Sequence, residues 1–171
     1  MSATMIFLKL YVDNKLIAGE GTTEDYVGQI EIESFSWGMK AKHTEKGRDK
    51  VSVEVRPQEV TLSKYFDKST TNLCLFAESR KPFTTARLTF LSMVLKTSNQ
   101  KPKPVMEMVF SDGYVEEVKL NASEAGKSMA LKEDVSLSFR KLKVIYHPIE
   151  QRRGARGAPT TFDLEQPSVS S

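Results

Sequence analysis

The residues best able to do chemistry in this sequence are few and far apart. There is one cysteine, Cys74, and there are two histidines, His43 and His147. A zinc site needs three or four Cys, His or acidic ligands at close spacing, and a catalytic nucleophile needs an activating base beside it. The sequence pattern contains neither arrangement. We therefore expect solvated histidines, no metal, no cofactor and no enzymatic activity.

One short segment shares residues with a phosphate-binding loop. Gly126, Lys127 and Ser128 match the end of that signature, but Asn121 occupies the position of its first glycine. The segment also lacks the strand-to-helix context in which such a loop cradles phosphates. Nucleotide binding is therefore not predicted. Cys74 lies in a predicted amphipathic helix, so we interpret it as a small, buried hydrophobic residue.

Bulk composition predicts one soluble domain. Of the 171 residues, 39% are apolar and 27% charged, and the formal charge is +3. This charge is small and scattered, which argues against nucleic-acid binding. No apolar run approaches the roughly 20 residues that a membrane-spanning helix needs, and the N-terminal segment lacks the basic start of a cleaved signal peptide. We predict a single domain over residues 1–148 and a partly flexible tail over residues 149–171.

The hydrophobic alternation changes phase inside several predicted strands. Ile30 and Ile32 are on even positions, whereas Phe35 and Trp37 are on odd ones. A one-residue slip sends every later side chain to the opposite face, so the strand must bend or bulge near Ser34. The alternation of apolar residues also shifts by one position at residues 90–91 and 140–141. The predicted fold is mainly β, a closed or nearly closed β-barrel of two curled antiparallel sheets with one short flanking α-helix.

The connecting segments are predicted from polar and turn-forming residues. The helix is expected over residues 71–79, with a hydroxyl side chain as its N-cap. The Ser-Asp-Gly sequence at residues 111–113 predicts a tight turn. Loops are predicted at three polar segments, residues 40–50, 96–104 and 121–133.

The bend near Ser34 also determines on which face of the strand each following side chain lies. Trp37 is predicted to be in the core, because aromatic residues dominate core burial. The opposite face then carries Ser34, Ser36 and Gly38, which are small residues without charge. Such a face suits the wall of a channel or a surface that contacts partners weakly.

Three segments resemble the Hcp (haemolysin-coregulated protein) family of type VI secretion tube proteins. Residues 31–38, EIESFSWG, resemble the acidic-apolar strand that runs into the family's S-W-S-W-G motif. Residues 65–73, YFDKSTTNL, resemble its helix start, with Asn72 where the family often has proline. Residues 135–146 and the following Pro148 are similar to its penultimate strand. Order and spacing agree from about Ile6 to Pro148.

This resemblance implies a structural role. It implies hexameric rings that stack into the inner tube, contact sheath and spike components, and carry small effector proteins in the lumen. The subunit would be made in the bacterial cytoplasm and then secreted without a cleaved signal peptide. Ser34, Ser36 and Gly38 would face the lumen. Strands with apolar residues on both faces offer the two different patches that a closed ring needs.

The polar segment 40–50 is the predicted ring-stacking loop. Its candidate contact residues are Lys42, His43, Glu45, Lys46, Arg48, Asp49 and Lys50. The alternative is a monomeric β-barrel that binds a small ligand or single-stranded nucleic acid, which would place exposed aromatic residues beside a basic groove. The aromatic residues here alternate with Ser and Glu more than with Lys or Arg, which favours the tube subunit.

Overall fold

The computed structural model describes residues 4–45, 51–92, 103–148 and 157–166, which form β-strands and one α-helix. The elements in chain order are β1 (Thr4–Val12), β2 (Lys15–Leu16), β3 (Ile30–Ile32), β4 (Ser34–Ser36), β5 (Met39–Glu45), β6 (Val51–Pro57), β7 (Val60–Tyr65), α1 (Ser69–Ser79), β8 (Phe83–Ser92), β9 (Lys103–Ala125), β10 (Ser128–Ser138), β11 (Lys141–Tyr146) and β12 (Thr160–Glu165).

Every strand pairing is antiparallel, and the strands form two layers and a separate hairpin. The first sheet has the order β2-β1-β8-β9-β11-β12, with β3 also paired to β1. The second sheet has the order β9-β10-β7-β4. Strand β9 belongs to both sheets, and β5 pairs with β6 alone.

The predicted mainly β fold with curled antiparallel sheets and one short helix is confirmed, whereas the closed barrel is not. In the described part of the chain the strand pairing ends at four strands, β2, β3, β4 and β12, instead of closing on itself. The short strands β3 and β4 pair with different neighbours and are separated at Glu33. The sheets therefore curl over a shared core without a continuous ring of paired strands.

Two of the three phase changes in the sequence mark places where the chain crosses between the sheets. Strand β3 pairs with β1 in the first sheet and β4 pairs with β7 in the second, and between them the Glu33 N–H donates to the Ser63 carbonyl at 2.8 Å. The same crossing separates β10 from β11 at residues 139–140. At residues 90–91 the slip is a register shift between β8 and β9. All three predicted irregularities are confirmed.

The predicted tight turn at residues 111–113 is wrong. Strand β9 continues through this segment for 23 residues, and Asp112 there has a φ of 54°. Before this point β9 pairs with β8 and β11, and beyond it with β10. The positive φ bends the strand from one sheet to the other instead of reversing its direction.

Two predicted loops are largely β-hairpins. Residues 121–133 belong to the paired arms of β9 and β10, which meet at a turn where Gly126 has a φ of 66°. Residues 40–45 belong to β5, and the remainder of that predicted loop, residues 46–50, lies outside the described residues. Of the third predicted loop, residues 103–104 belong to β9 and the rest is outside the described residues. Cross-strand hydrogen bonds hold these polar segments extended.

The single described helix begins two residues before its predicted start. Thr70 Oγ1 accepts a hydrogen bond from the Asp67 N–H at 3.0 Å, and the Asp67 carboxylate accepts one from the Ser69 N–H at 2.8 Å. The Asp67 carboxylate thus satisfies one backbone donor that the helix start leaves free. The predicted hydroxyl N-cap is wrong, because the N-cap is Lys68 and its side chain makes no capping hydrogen bond. Leu73 and Phe76 are buried in the core. The helix ends at Arg80, which adopts a left-handed conformation with a φ of 51°.

Strand β1 is covered on both faces, as its sequence predicts. One face contributes Leu8 and Leu10 to the core between the sheets. On the other face Phe7 is fully buried, because the Tyr26 ring stacks on it with centroids 5.0 Å apart. The segment between β2 and β3 therefore acts as an outer cover. Beyond the domain boundary predicted at residue 148, β12 pairs along the whole of β11, so this part of the tail is docked.

Candidate functional site

The residues predicted to face a lumen lie on or just after β4. Ser34 and Ser36 are exposed, whereas Phe35 between them packs edge to face on Phe90 at 5.2 Å. Trp37 packs against the core, which confirms its predicted place. Gly38 follows β4, is partly buried, and its carbonyl accepts a hydrogen bond from Gln58. The two serines therefore share an outward face, and their position in a lumen stays a prediction.

Neighbouring strands extend this serine pair into a larger polar surface. The structure aligns Ser36 with Thr61, and Ser34 with Ser63. Ser136 then pairs with Thr61 on the next strand. We call these five residues, Ser34, Ser36, Thr61, Ser63 and Ser136, the hydroxyl face. Thr61, Ser63 and Ser136 were not predicted, although the alternation of apolar and polar residues along β7 and β10 could have indicated their outward face.

The predicted stacking segment is a projecting hairpin. Lys42 and His43 are exposed on β5, Glu45 is its last residue, and the other four candidates lie outside the described residues. The hairpin strands pair only with each other among the described strands. One face of the hairpin carries exposed Met39 and Val55, at 48% and 43% accessibility.

The inner surfaces of both sheets continue beyond the enclosed core. In the second sheet, the free arm of the β9–β10 hairpin exposes residues in register with core positions, which we call the arm face: Leu120, Ala122, Met129 and Leu131. In the first sheet, the outer strands β11 and β12 carry a similar stripe, which we call the edge face: Val144, Tyr146, Phe162 and Leu164. Tyr146 and Phe162 are exposed, whereas Val144 and Leu164 are partly buried against the core. Neither face was predicted from the sequence, because both depend on cross-strand register.

A buried polar network lies where the arm leaves the core. Lys64 on β7 is 1% exposed and Glu133 on β10 is fully buried, and the Lys64 ammonium donates to the Glu133 carboxylate. Lys64 also donates to Asp67 at 3.0 Å, and Thr70 donates to Glu133 at 3.2 Å. The network ties two strands to the start of α1. Its enclosure makes it a structural feature rather than an exposed reactive site.

A second charged cluster lies on the outer side of the first sheet. Arg87 Nη2 donates to Glu107 at 2.6 Å, and His147 Nε2 lies 3.0 Å from the same carboxylate. Burial raises the pKa of Glu107, but hydrogen bonds with His147 and Arg87 outweigh it and leave that pKa below its usual value. Burial and the nearby Glu107 charge raise the pKa of Tyr26. The predicted solvated state is thus wrong for His147, whereas His43 is exposed.

These clusters lack the composition of a metal site. Across the described ranges, no group of three His, Cys, Asp or Glu side chains is arranged to hold a metal ion. Cys74 is partly buried on α1, between the core residue Leu73 and the exposed Leu75. No helix in the described part of the chain has both the length and the apolar character needed to cross a bilayer.

Comparisons with known proteins agree with the resemblance seen in the sequence. A family model described as "Type VI secretion system effector, Hcp" matches residues 7–146. Protein hcp1 of Pseudomonas aeruginosa is 28% identical over 109 residues, which cover 64% of each chain. The match therefore spans slightly less than two thirds of that relative's length.

Solved structures share the same fold over nearly the whole chain. A type six secretion system protein superposes with a TM-score of 0.78 at 19% identity, covering 95% of this chain and 96% of its own. Hcp1 from Salmonella typhimurium gives a TM-score of 0.70 at 26% identity, covering 95% of both chains. Since the family model matches well over half of the sequence, this chain belongs to the Hcp family of type VI secretion system proteins.

Proposed function

We propose that this protein is the structural subunit of a type VI secretion inner tube. Copies would form hexameric rings, the rings would stack into a tube, and the lumen would hold small effector proteins. The tube would assemble in the bacterial cytoplasm beside sheath and spike components and leave the cell without cleavage of a signal peptide. Membership in the Hcp family supports this role.

The observation that carries the proposal is the isolated β5–β6 hairpin. A two-stranded hairpin without further packing is marginally stable in water. This one has no strand partner outside itself among the described strands, and its Met39 and Val55 side chains are exposed. Contact with another subunit would cover these apolar residues and hold the hairpin. The need for such a contact fits a stack of rings, in which each ring must bind the next.

Native mass spectrometry and negative-stain electron microscopy test the assembly directly. We expect a mass of six chains at micromolar concentration and ring-shaped particles in the images. A protein that stays monomeric in gentle buffer would contradict the proposal. If such a monomer also bound a fluorescent oligonucleotide in a salt-dependent manner, the ligand-binding alternative would replace it.

The stacking role can be tested by shortening the hairpin. Deletion of residues 45–49 is expected to reduce tube length more than ring closure, because it shortens the chain between β5 and β6 and leaves the two sheets intact. Electron microscopy would show single rings where the unmodified protein forms stacks. Native mass spectrometry provides the control, since a retained hexamer shows that the fold survives. Normal tubes from this variant would refute the role of the hairpin.

The hydroxyl face is our candidate for the lumen wall. Small hydroxyl side chains present little apolar area or charge, so they suit weak contact with varied cargo. Ser36→Gln adds a longer side chain to this face without touching the core, because Ser36 is exposed. We expect intact rings that retain roughly tenfold less effector, a difference of about 1.4 kcal/mol.

The matched control for this variant is Thr71→Gln. Thr71 is exposed on α1, which contributes no residue to the hydroxyl face, so the same side chain there should leave cargo unchanged. The measurement is the amount of small protein that co-elutes with rings from a type VI-competent cell lysate. Equal retention by both variants and the unmodified protein would exclude Ser36 from the lumen wall.

A further inference from the structure

The charged cluster on the outer side of the first sheet joins three strands through one carboxylate. Oε1 of Glu107 on β9 accepts two hydrogen bonds from Arg87 on β8, at 3.1 Å from Nε and 2.6 Å from Nη2. Oε2 lies 3.0 Å from Nε2 of His147, the residue that follows β11. We propose that these three residues are an acid-sensitive latch, which holds the end of β11 on the first sheet and releases it when Glu107 gains a proton.

The end of β11 is a position from which a second strand is controlled. The His147 N–H donates to the Val105 carbonyl at 2.9 Å, and Tyr146 pairs with Met106 on one side and with Thr160 on the other. Among the described strands, β12 pairs with β11 alone. Whatever fixes the end of β11 therefore also fixes the start of β12.

Protonation of the carboxylate would replace attraction by repulsion. Arginine carries a positive charge at every accessible pH, and histidine carries one in acid. With Glu107 neutral, Arg87 and His147 would be two cations on either side of an uncharged group. The Glu107 side chain is only 15% exposed, so solvent screens these charges incompletely. The end of β11 would then be pushed away from β8 and β9.

The segment between β2 and β3 brings two further titratable groups to this side of the sheet. Burial raises the pKa of Tyr26, and the charges of Glu107 and Asp25 raise it further, whereas Arg87 lowers it. Tyr26 therefore stays uncharged over the whole acidic range. It covers the latch without competing for its two cations.

The strands beside the latch place their charges one row further along the sheet. Lys9 on β1 is in register with Arg87, and its ammonium lies 5.7 Å from the centre of the Tyr11 ring. Lys143 on β11 is in register with Asp163 on β12, so opposite charges stand side by side there. In the described part of the chain, no hydrogen bond or ion pair joins these groups to the latch carboxylate.

The direction of the pH effect follows from the pKa of Glu107. Burial raises this pKa, but hydrogen bonds with His147 and Arg87 outweigh burial and leave it below its usual value. A carboxylate of this kind contributes stability above the pH at which it titrates in the unfolded chain, and the contribution is lost as the pH falls through its folded value. The latch therefore stays closed at neutral and mildly acidic pH, and it opens below about pH 4, where an ordinary glutamate has already begun to gain a proton.

Hydrogen–deuterium exchange of the variant Glu107→Gln tests the latch locally. The amide group keeps the size of the side chain but cannot form an ion pair. Near neutral pH, we expect amides of residues 145–147 and 160–162 to exchange roughly tenfold faster in the variant than in the unmodified protein, as loss of a hydrogen bond to a charged group implies. At about pH 3 the two proteins should exchange alike, because Glu107 is then neutral in both. Equal exchange at neutral pH, or a difference that persists in acid, would overturn the proposal.

Glu116→Gln is the matched control for this experiment. The Glu116 carboxylate also accepts two hydrogen bonds, from Arg80 at 3.1 Å and from Ser138 at 2.7 Å. It lies on the half of β9 that pairs with β10, beyond the sheet crossing. This variant should leave exchange at the end of β11 unchanged. Equal loosening by both variants would show that the effect is not specific to the latch.

A carboxyl titration keeps the proposal testable even if the glutamine variant does not fold. In protein with ¹³C-labelled glutamate side chains, the NMR signal of Glu107 should titrate below the usual midpoint of glutamate. His147→Leu should move that midpoint upward, because one hydrogen-bond partner is lost. A usual midpoint in the unmodified protein, or no movement in the variant, would refute the latch. Neither measurement depends on ring assembly, so a monomeric protein would overturn the proposed function and leave the latch standing.

Discussion

Gly113→Ala is expected to destabilise the folded subunit by about 3 kcal/mol or more. An added Cβ at this position would lie 1.9 Å from the Ser138 carbonyl oxygen, 2.5 Å from Phe83 Cζ and 2.9 Å from Phe139 Cα. Two of these three atoms belong to the backbone, so rotation of a side chain cannot relieve the overlap. The strand crossing between the sheets would have to open.

Thermal and urea unfolding measure this effect. A loss of about 3 kcal/mol should lower the melting temperature by roughly 6–12 °C in a domain of this size. Gly38→Ala is the matched control, because an added Cβ there would meet only Gln58 side-chain atoms, at 3.4 Å and beyond. That control should change the free energy of unfolding by less than about 1 kcal/mol. Equal stability of the two variants would show that the crossing at Gly113 is not tightly packed.

Lys64→Met is expected to destabilise the fold by about 3–5 kcal/mol. The substitution leaves the fully buried Glu133 carboxylate without its cation. Thr70 still donates one hydrogen bond to that carboxylate, but a neutral hydroxyl cannot balance an enclosed charge. Because the same pair holds β7, β10 and the start of α1 together, chemical denaturation should show one cooperative transition at lower denaturant concentration.

The double variant Lys64→Met/Glu133→Leu separates burial of a charge from loss of packing. Removing both charges should restore much of the lost stability, since an apolar pair avoids the desolvation penalty. Lys132→Met provides a surface comparison, because Lys132 and Glu33 form a 3.9 Å ion pair with both side chains at least 40% exposed. Loss of that pair should change stability by less than about 1 kcal/mol. A double variant as unstable as the single one would contradict the explanation.

The alternation of apolar and polar residues along the strands made the sheet crossings predictable from the sequence. Ile32 and Phe35 must both reach the core although they stand on opposite phases, and only a bend between them permits this. The Asp112–Gly113 crossing was misread because a positive φ with an adjacent glycine serves both a hairpin turn and a strand corner. What distinguishes them is the pairing on each side, which depends on strands β8, β10 and β11, remote in sequence.

The candidate surfaces were predictable only where a single strand determines them. Exposure of Ser34 and Ser36 follows from the phase of β4 alone. The hydroxyl face, the arm face and the edge face each combine residues from two or three strands, so register had to be known. Lys64 and Glu133 were missed for a related reason. A charged residue in an alternating strand normally indicates a solvent position, and these two charges are buried because each neutralises the other.

The continuity of β9 determines how the subunit responds to mechanical force. This strand runs from its ladder with β11 to the tip of the free arm without a loop in between. Tension applied along it acts parallel to the strand and loads many interstrand hydrogen bonds at once, instead of opening them one after another. A pull on the arm is therefore transmitted through continuous covalent backbone into the first sheet, without stretching a connecting loop.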